Sequence, residues 1–136
     1  MSYLLRVTTS TRGEKSWSNK LLAEFEAQFK AKHPEVSVKN RFTGDIPHLD
    51  FAAQSAGRTP LDKQTDADKQ AFALANELTE EVLNASALVV ATPMYNWGPP
   101  SSLKAWMDRG MISAEDETSA YTKALKQIPA AVLRAR

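Results

Sequence analysis

The stretch ALVVATPMYNWGPPSSLKAWMD, residues 87–108, decides how the rest of this chain is interpreted. Its first six residues form an unbroken apolar run, without the alternation of polar and apolar residues that a strand with one wet face shows. Such a strand is covered on both faces, as in a parallel sheet flanked by helices. We therefore predict that residues 87–92 form a central strand of a parallel sheet.

A rigid loop and then a helix are predicted after this strand. Residues 93–100 contain three prolines and one glycine, which are incompatible with a continued helix or a central strand. The helix that follows can be capped by Ser101 or Ser102. Its apolar face is predicted from the spacing to consist of Leu103, Trp106 and Met107. Strand, loop and helix form the half-unit on which open parallel sheets bind ligands, beyond the carboxyl end of the strand.

The composition indicates one small domain without a strong charge signature. The chain has 136 residues, 43% hydrophobic and 24% charged, which is enough for one core, so residues 1–136 are interpreted as a single domain. A net charge of +1 gives no basis for binding nucleic acid or an anionic membrane, and no apolar run has transmembrane length. The lack of cysteine excludes thiolate chemistry and fits a reducing compartment. We therefore expect a cytoplasmic protein.

A second half-unit of the same kind is predicted at the start of the chain. Residues 3–9 have the character of a short strand, and a hydroxyl-rich loop follows at residues 8–18. The next helix can be capped by Ser16 or Ser18 and ends before Pro34. Its apolar face is predicted to consist of Leu21, Leu22, Phe25 and Phe29. Two half-units side by side would form one crevice at the carboxyl ends of their strands.

The residues between the two half-units are predicted to continue the alternation of strands and helices. Residues 36–39 indicate a strand near an edge, residues 42–50 a loop, and residues 51–57 a loose helical turn. A long helix is predicted from a capping box at residues 65–68 to Asn84. Its buried face is predicted to consist of Ala71, Leu74, Ala75, Leu78 and Val82. This alternation is typical of a layered α/β fold.

The hydroxyl-rich loop leaves two interpretations open. It has neither the GxGxxG pattern of a dinucleotide site nor a Walker pattern. Ser10, Ser16 and Ser18 surround a predicted helix start, where unpaired amides and the helix dipole favour an anion such as a monophosphate. The same serines also fit a loop in which they only cap and solvate a turn. Arg12 and Lys15 either add positive charge or face water.

Other kinds of site find little support in the residues. His33 and His48 lie in different predicted loops and lack the spacing of a helical zinc site, so we predict surface roles and no metal ligand. The nucleophile pattern GxSxG is absent. Met94 and Tyr95, beyond the central strand, fit either plain loop packing or the wall of a site for a planar ligand.

The loop after the central strand resembles the flavin loop of a known family. ATPMYNW at residues 91–97, followed by PSSLKAWMD at residues 100–108, is similar to the sequence of the FMN-dependent NADH-azoreductases. These enzymes belong to the flavodoxin-like quinone reductase superfamily. The segment IPHLD at residues 46–50 and the serines of the first loop occur in the order that the family shows. The resemblance covers roughly residues 3–109.

The resemblance implies a flavodoxin-like three-layer α/β sandwich with a parallel sheet, and FMN as cofactor. The residues it assigns to the FMN phosphate are Ser10, Ser16, Trp17 and Ser18. Those it assigns to the isoalloxazine ring are Met94, Tyr95, Asn96 and Trp97. Family members pass hydride from NADH or NADPH through the flavin to quinones or azo compounds, so no catalytic side chain is implied. The resemblance also implies a homodimer.

The sequence departs from the family after Arg109. Residues 110–136 lack the family's aromatic substrate loop and its second flavin loop, and a capping box at residues 113–116 predicts a further helix that Pro129 stops. Residues 130–136 resemble the family's fourth strand. We therefore expect a sandwich that is incomplete at its C-terminus, with three or four strands in a shortened chain. An alternative function follows: a catalytically inactive flavodoxin-like module for binding or dimerisation.

Overall fold

Strands and helices alternate along the chain in the computed structural model, which describes residues 3–111 and 130–134. The strands of these residues are β1 (Tyr3–Thr8), β2 (Ser37–Phe42), β3 (Ala85–Thr92) and β4 (Ala130–Arg134). The α-helices are α1 (Trp17–Lys32), α2 (Phe51–Arg58), α3 (Asp66–Leu83) and α4 (Ser101–Met111). Short 3₁₀ turns lie at Gly13–Lys15 and Leu61–Lys63.

The strands form one parallel sheet in the order β2-β1-β3-β4. In its register, Leu5 of β1 lies opposite Lys39 of β2 and Leu88 of β3. The connection from β2 to β3 passes over β1, so β2 lies on one side of β1 and β3 and β4 lie on the other, and the order of strand addition reverses at the β1–β3 pair. This is the order of flavodoxin-like sheets, in which ligands bind at that reversal. The predicted fold class is confirmed.

The apolar run in β3 lies between two layers of side chains, as predicted. On one face of the sheet, Leu88 belongs to a buried cluster with Leu5 and Trp106. On the other face, Val89 belongs to a buried cluster with Leu22 of α1. Burial of side chains of this size contributes about 1.5–3 kcal/mol each. The strand without alternation therefore contributes to both cores, as β1 also does through Leu5 on one face and Leu4 on the other.

Two predictions for the middle of the chain are wrong. Phe42, assigned to a loop, is the last residue of β2 and continues the pairing with β1. Residues 51–57, assigned to a loose turn, belong to the full helix α2. The Asp50 carboxylate accepts a hydrogen bond of 2.8 Å from the Ala53 amide at its start, and Ala56 packs against Phe72 of α3. A cap and a buried small face thus stabilise a helix that the composition did not indicate.

The predicted caps of the two long helices are confirmed. The Ser16 hydroxyl accepts a hydrogen bond of 3.4 Å from the Asn19 amide at the start of α1. Thr65 and Asp68 form the reciprocal capping box of α3, with each side chain bound to the other residue's amide. These local signals work because side-chain oxygens satisfy amides that have no partner within the helix.

The predicted apolar faces are correct only in part. Leu22 of α1 is fully buried, whereas Leu21 leaves 46% of its surface exposed because only a narrow stripe of a helix faces the sheet. Met107 of α4 is likewise exposed beside buried Trp106. In α3, Phe72 joins the buried face without having been predicted, since α2 covers it.

The end of the chain is described in part. The helix predicted from residues 113–116 to Pro129 lies outside the described residues. Residues 130–134 form β4 next to β3, which agrees with the predicted fourth strand. In the part of the chain that the structure describes, no helix has both the length and the apolar character to cross a membrane.

Candidate functional site

A cavity of about 710 Å³ lies at the carboxyl ends of β1 and β3. It is formed by the loop after β1, the first turn of α1 and the loop after β3, and its size is that of a cofactor or ligand site. The lining residues are Ser10, Arg12, Ser16, Trp17, Ser18, Pro93, Met94, Tyr95 and Trp97. Seven of the eight predicted site residues therefore line one cavity, and the eighth, Asn96, lies outside its lining.

One wall of the cavity consists of buried serine hydroxyls. Ser10, Ser16 and Ser18 expose 3%, 2% and 2% of their surface. The hydroxyls of Ser16 and Ser18 lie 2.8 Å apart, and the Ser10 hydroxyl accepts a hydrogen bond of 3.3 Å from the Arg12 amide. The Ser10 hydroxyl also contributes, after Thr11, to the lowered pKa of Tyr95, so it lies close to the tyrosine oxygen. The serines thus cap and stabilise the loop and also line the cavity, so both interpretations of them have support.

The opposite wall is a tight turn at Tyr95 to Gly98. The two residues exchange backbone hydrogen bonds of 2.8 and 3.0 Å, which makes a two-residue hairpin. Asn96 and Trp97 between them have φ angles of 48° and 65°. Two left-handed residues are typical of a type I′ turn, in which asparagine is well tolerated but tryptophan is not. The turn leaves 95% of the Trp97 surface exposed.

The Tyr95 hydroxyl joins the two loops across the cavity. It accepts a hydrogen bond of 3.2 Å from the Thr11 amide and lies 3.0 Å from the Thr11 hydroxyl. The hydrogen bond with the Thr11 side chain holds the pKa of Tyr95 below its usual value. Thr11 was not predicted as a site residue, because the sequence does not show which side chains of two loops 84 residues apart come into contact.

Buried threonines hold the strand ends beneath the cavity. The Thr9 hydroxyl lies 3.3 Å from the Ala91 carbonyl and 3.1 Å from the Thr92 hydroxyl, which ties β1 to β3. On the other side of β1, the Thr43 amide donates to the Thr8 carbonyl at 3.0 Å. These contacts fix the spacing of the loops that form the site.

Arg109, at the end of α4, is a buried charge that sequence reasoning missed. It exposes 4% of its surface and donates hydrogen bonds to the carbonyls of Pro47 and His48 at 3.2 and 2.8 Å. It also donates to the Asp50 carboxylate at 2.7 Å. The Ala53 amide and then the Arg109 guanidinium hold the pKa of Asp50 below its usual value. The available signal was its position three residues after Trp106, on the buried face of the helix.

The cavity suits a ligand with two chemically different ends. Hydroxyls and the start of α1 provide donors for an anionic group, and the loop after β3 provides aromatic and thioether surface for a planar group. Among the lining side chains of the described residues, Arg12 alone carries a charge at neutral pH. Within residues 3–111 and 130–134, no group of three or more histidine, aspartate or glutamate side chains is placed to hold a metal ion.

Comparison with known sequences identifies close relatives of the chain. The family described as "Flavodoxin-like fold" matches residues 2–133. An FMN-dependent NADH:quinone oxidoreductase of Azotobacter vinelandii is 44% identical over 110 residues, which cover 79% of this chain and 55% of the relative. An FMN-dependent NADH:quinone oxidoreductase 2 of Jannaschia sp. is 46% identical over 112 residues, which cover 79% and 54%. The chain thus spans about half the length of the curated relatives it matches.

Solved structures share the fold at lower sequence identity. An FMN-dependent NADH-azoreductase of Bacillus anthracis, solved in complex with FMN, superimposes with a TM-score of 0.77 at 21% identity, over 98% of this chain and 68% of that one. A second azoreductase of B. anthracis gives a TM-score of 0.71 at 24% identity, over 80% and 55%. The resemblance predicted from residues 91–97 is therefore confirmed, and the chain belongs to the family of the flavodoxin-like fold, alongside the FMN-dependent NADH:quinone oxidoreductases.

Proposed function

We propose that this protein is an FMN-dependent oxidoreductase that passes hydride from NADH or NADPH through the flavin to a quinone or an azo compound. The observation that carries the proposal is the cavity at the β1–β3 reversal, lined by residues from both loops. Flavodoxin-like sheets bind FMN at this position. The names of the relatives as FMN-dependent NADH:quinone oxidoreductases support the same function.

The serine wall fits the phosphate end of FMN. Ser10, Ser16 and Ser18 offer hydroxyl donors, and Trp17 is the first residue of α1, where amides lack partners within the helix. An anion at this end of a helix also gains from the helix dipole. These four residues are proposed to hold the phosphate.

The loop after β3 fits the isoalloxazine end. Met94 exposes 52% and Trp97 95% of its surface, although both are large and apolar. Tyr95 and Asn96 complete the turn that carries Trp97. These four residues are proposed to contact the ring system, which would cover surface that is otherwise in water.

The chain's own residues bind and orient rather than react in this proposal. FMN, when bound, supplies the hydride chemistry. Tyr95, fixed by Thr11, keeps the two loops at a constant separation, so the phosphate and ring contacts act on one ligand. No side chain of the cavity is assigned a catalytic proton transfer, and none is assigned a metal.

A homodimer in the cytoplasm is part of the proposal. Met94 and Trp97 form exposed apolar surface at the mouth of the cavity, and a second copy of the chain would cover the part of it that the ring system leaves in water. NADH and NADPH, the proposed reductants, are held inside cells, which favours a cytoplasmic location.

The proposal is tested by reconstitution with excess FMN, desalting, and anaerobic addition of NADH. We expect a retained flavin absorption band that bleaches with NADH and returns when a quinone is added. Tyr95→Ala and Trp97→Ala are expected to weaken flavin retention, whereas Phe51→Ala, at an 82% exposed aromatic residue outside the cavity, is expected to leave it unchanged. Folded protein that retains no flavin would contradict the proposal. Retained flavin that NADH never reduces would instead favour a binding module.

A further inference from the structure

The charges around the cavity are distributed unevenly. Among the residues that the structure describes, the lining contains hydroxyl, aromatic, thioether and proline side chains, all neutral at pH 7, and one cation, Arg12. The neighbouring charged residues Glu14 and Lys15 lie in the 3₁₀ turn and do not line the cavity. Within the described lining, Arg12 is therefore the charged side chain with which an anionic group of a ligand can form an ion pair.

Arg12 forms no ion pair with another side chain of the described residues, so its guanidinium is available to a ligand. No carboxylate of residues 3–111 lies within ion-pair distance of its guanidinium. Its amide donates to the Ser10 hydroxyl at 3.3 Å, so the residue begins beside the serine wall. Arg12 itself lines the cavity, together with Ser10 and Tyr95.

We infer that Arg12 is a specificity residue of this site, whose guanidinium pairs with the phosphate of FMN and makes the protein select FMN over riboflavin. This inference rests on the proposed function. A phosphate monoester carries a charge of about −1.5 to −2 at pH 7, whereas the start of a helix offers only about half a positive charge and serine hydroxyls none. Arginine supplies the missing charge and can bind two phosphate oxygens at once.

The test compares the binding of FMN and riboflavin, measured through flavin fluorescence, in four forms of the chain. Arg12→Gln is expected to weaken FMN binding about tenfold to a hundredfold and to change riboflavin binding by less than about twofold. Arg12→Lys should restore part of the FMN affinity, since it keeps the charge but loses the planar fork. Lys15→Gln removes the same charge three residues away and should change FMN binding by less than about twofold.

Salt provides a second readout. FMN binding by the unaltered chain should weaken as salt rises, because the pair is partly exposed, and Arg12→Gln should reduce this dependence. Equal losses for FMN and riboflavin in Arg12→Gln, or no loss for either, would overturn the inference and leave the proposed function standing. Failure of the unaltered, folded chain to bind either flavin would overturn both.

Discussion

Trp97 combines an exposed side chain with a left-handed backbone conformation that bulky residues avoid. Its φ angle is 65° and 95% of its surface is exposed. A left-handed conformation costs an ordinary residue about 1–2 kcal/mol. An exposed ring offers little packing energy to offset this cost within the chain. Strain of this kind concentrates at functional sites, which supports a role for the ring in contacting a ligand.

Replacement of Trp97 separates backbone strain from ring contact. Trp97→Gly is expected to leave the free energy of unfolding unchanged or to raise it by up to about 1 kcal/mol, since relief of strain exceeds the entropy that glycine adds to the unfolded chain. Trp97→Ala keeps the strain and should bring no such gain. Both variants should weaken FMN binding equally, as both lose the ring. Chemical denaturation and FMN titration measure the two effects. A clear loss of stability in the glycine variant alone would contradict this account.

The pKa values of Tyr95 and Tyr3 are expected to lie on opposite sides of the usual tyrosine value of 10.0. Hydrogen bonding to Thr11 lowers the pKa of Tyr95, and burial raises that of Tyr3, whose hydroxyl donates to the Glu81 carbonyl at 2.6 Å. The lowered pKa of Tyr95 therefore stabilises the folded state fully above pH 10, and this stabilisation is lost as pH falls through the pKa of Tyr95 in the folded protein. The raised pKa of Tyr3 stabilises the folded state below pH 10, and this stabilisation is lost as pH rises through the pKa of Tyr3 in the folded protein.

Ultraviolet absorbance of tyrosinate during an alkaline titration measures this order. Tyr95→Phe should remove a phase that precedes the Tyr3 phase, and Tyr3→Phe should remove a later one. If Tyr95→Phe instead removed the later of these two phases, the bridge between Tyr95 and Thr11 would be wrong.

At the scale of elements, Arg109 joins the end of α4 to the segment before α2. Its guanidinium bonds two backbone carbonyls and the Asp50 carboxylate, which also caps α2. One side chain therefore sets the position of two helices relative to each other. The buried arginine is stable there because its donors are satisfied by fixed acceptors.

Arg109→Met is expected to lower the free energy of unfolding by about 2–3 kcal/mol, because it removes these bonds and leaves buried carbonyls without a donor. Lys104→Met is the matched control in the same helix. Its exposed pair with Asp108 should be worth less than about 0.5 kcal/mol. Urea denaturation measures both. Equal small effects would show that Arg109 does not fasten the helices.

Elements with strong local signals were predictable, and those that depend on distant contacts were not. The capping box at Thr65 and the apolar run of β3 need only neighbours in sequence, and both are confirmed. The helix α2 was missed because its buried face consists of alanines that matter only when α3 lies beside them. The burial of Arg109 was missed for the same reason, since its acceptors lie about 60 residues earlier in the chain.

At the scale of the whole molecule, strand order decides where the site lies. The two half-units predicted from the sequence are adjacent because β1 pairs with β3, and their loops meet above that pair. The family resemblance, in the first loop and in residues 91–97, supplied seven of the nine lining residues in advance. It did not reveal Arg12 or Pro93 as lining residues, or the left-handed turn at Asn96 and Trp97, because these depend on how the two loops face each other.

Binding of FMN between the two loops is the central claim, and nuclear magnetic resonance of the indole N–H groups tests it most directly. The chain has three tryptophans. Trp17 and Trp97 line the cavity, whereas Trp106 lies in the core and serves as an internal control. With the three signals assigned through single Trp→Phe variants, saturating FMN is predicted to shift those of Trp17 and Trp97 strongly and that of Trp106 little. Unmoved Trp17 and Trp97 signals in folded protein would contradict the account.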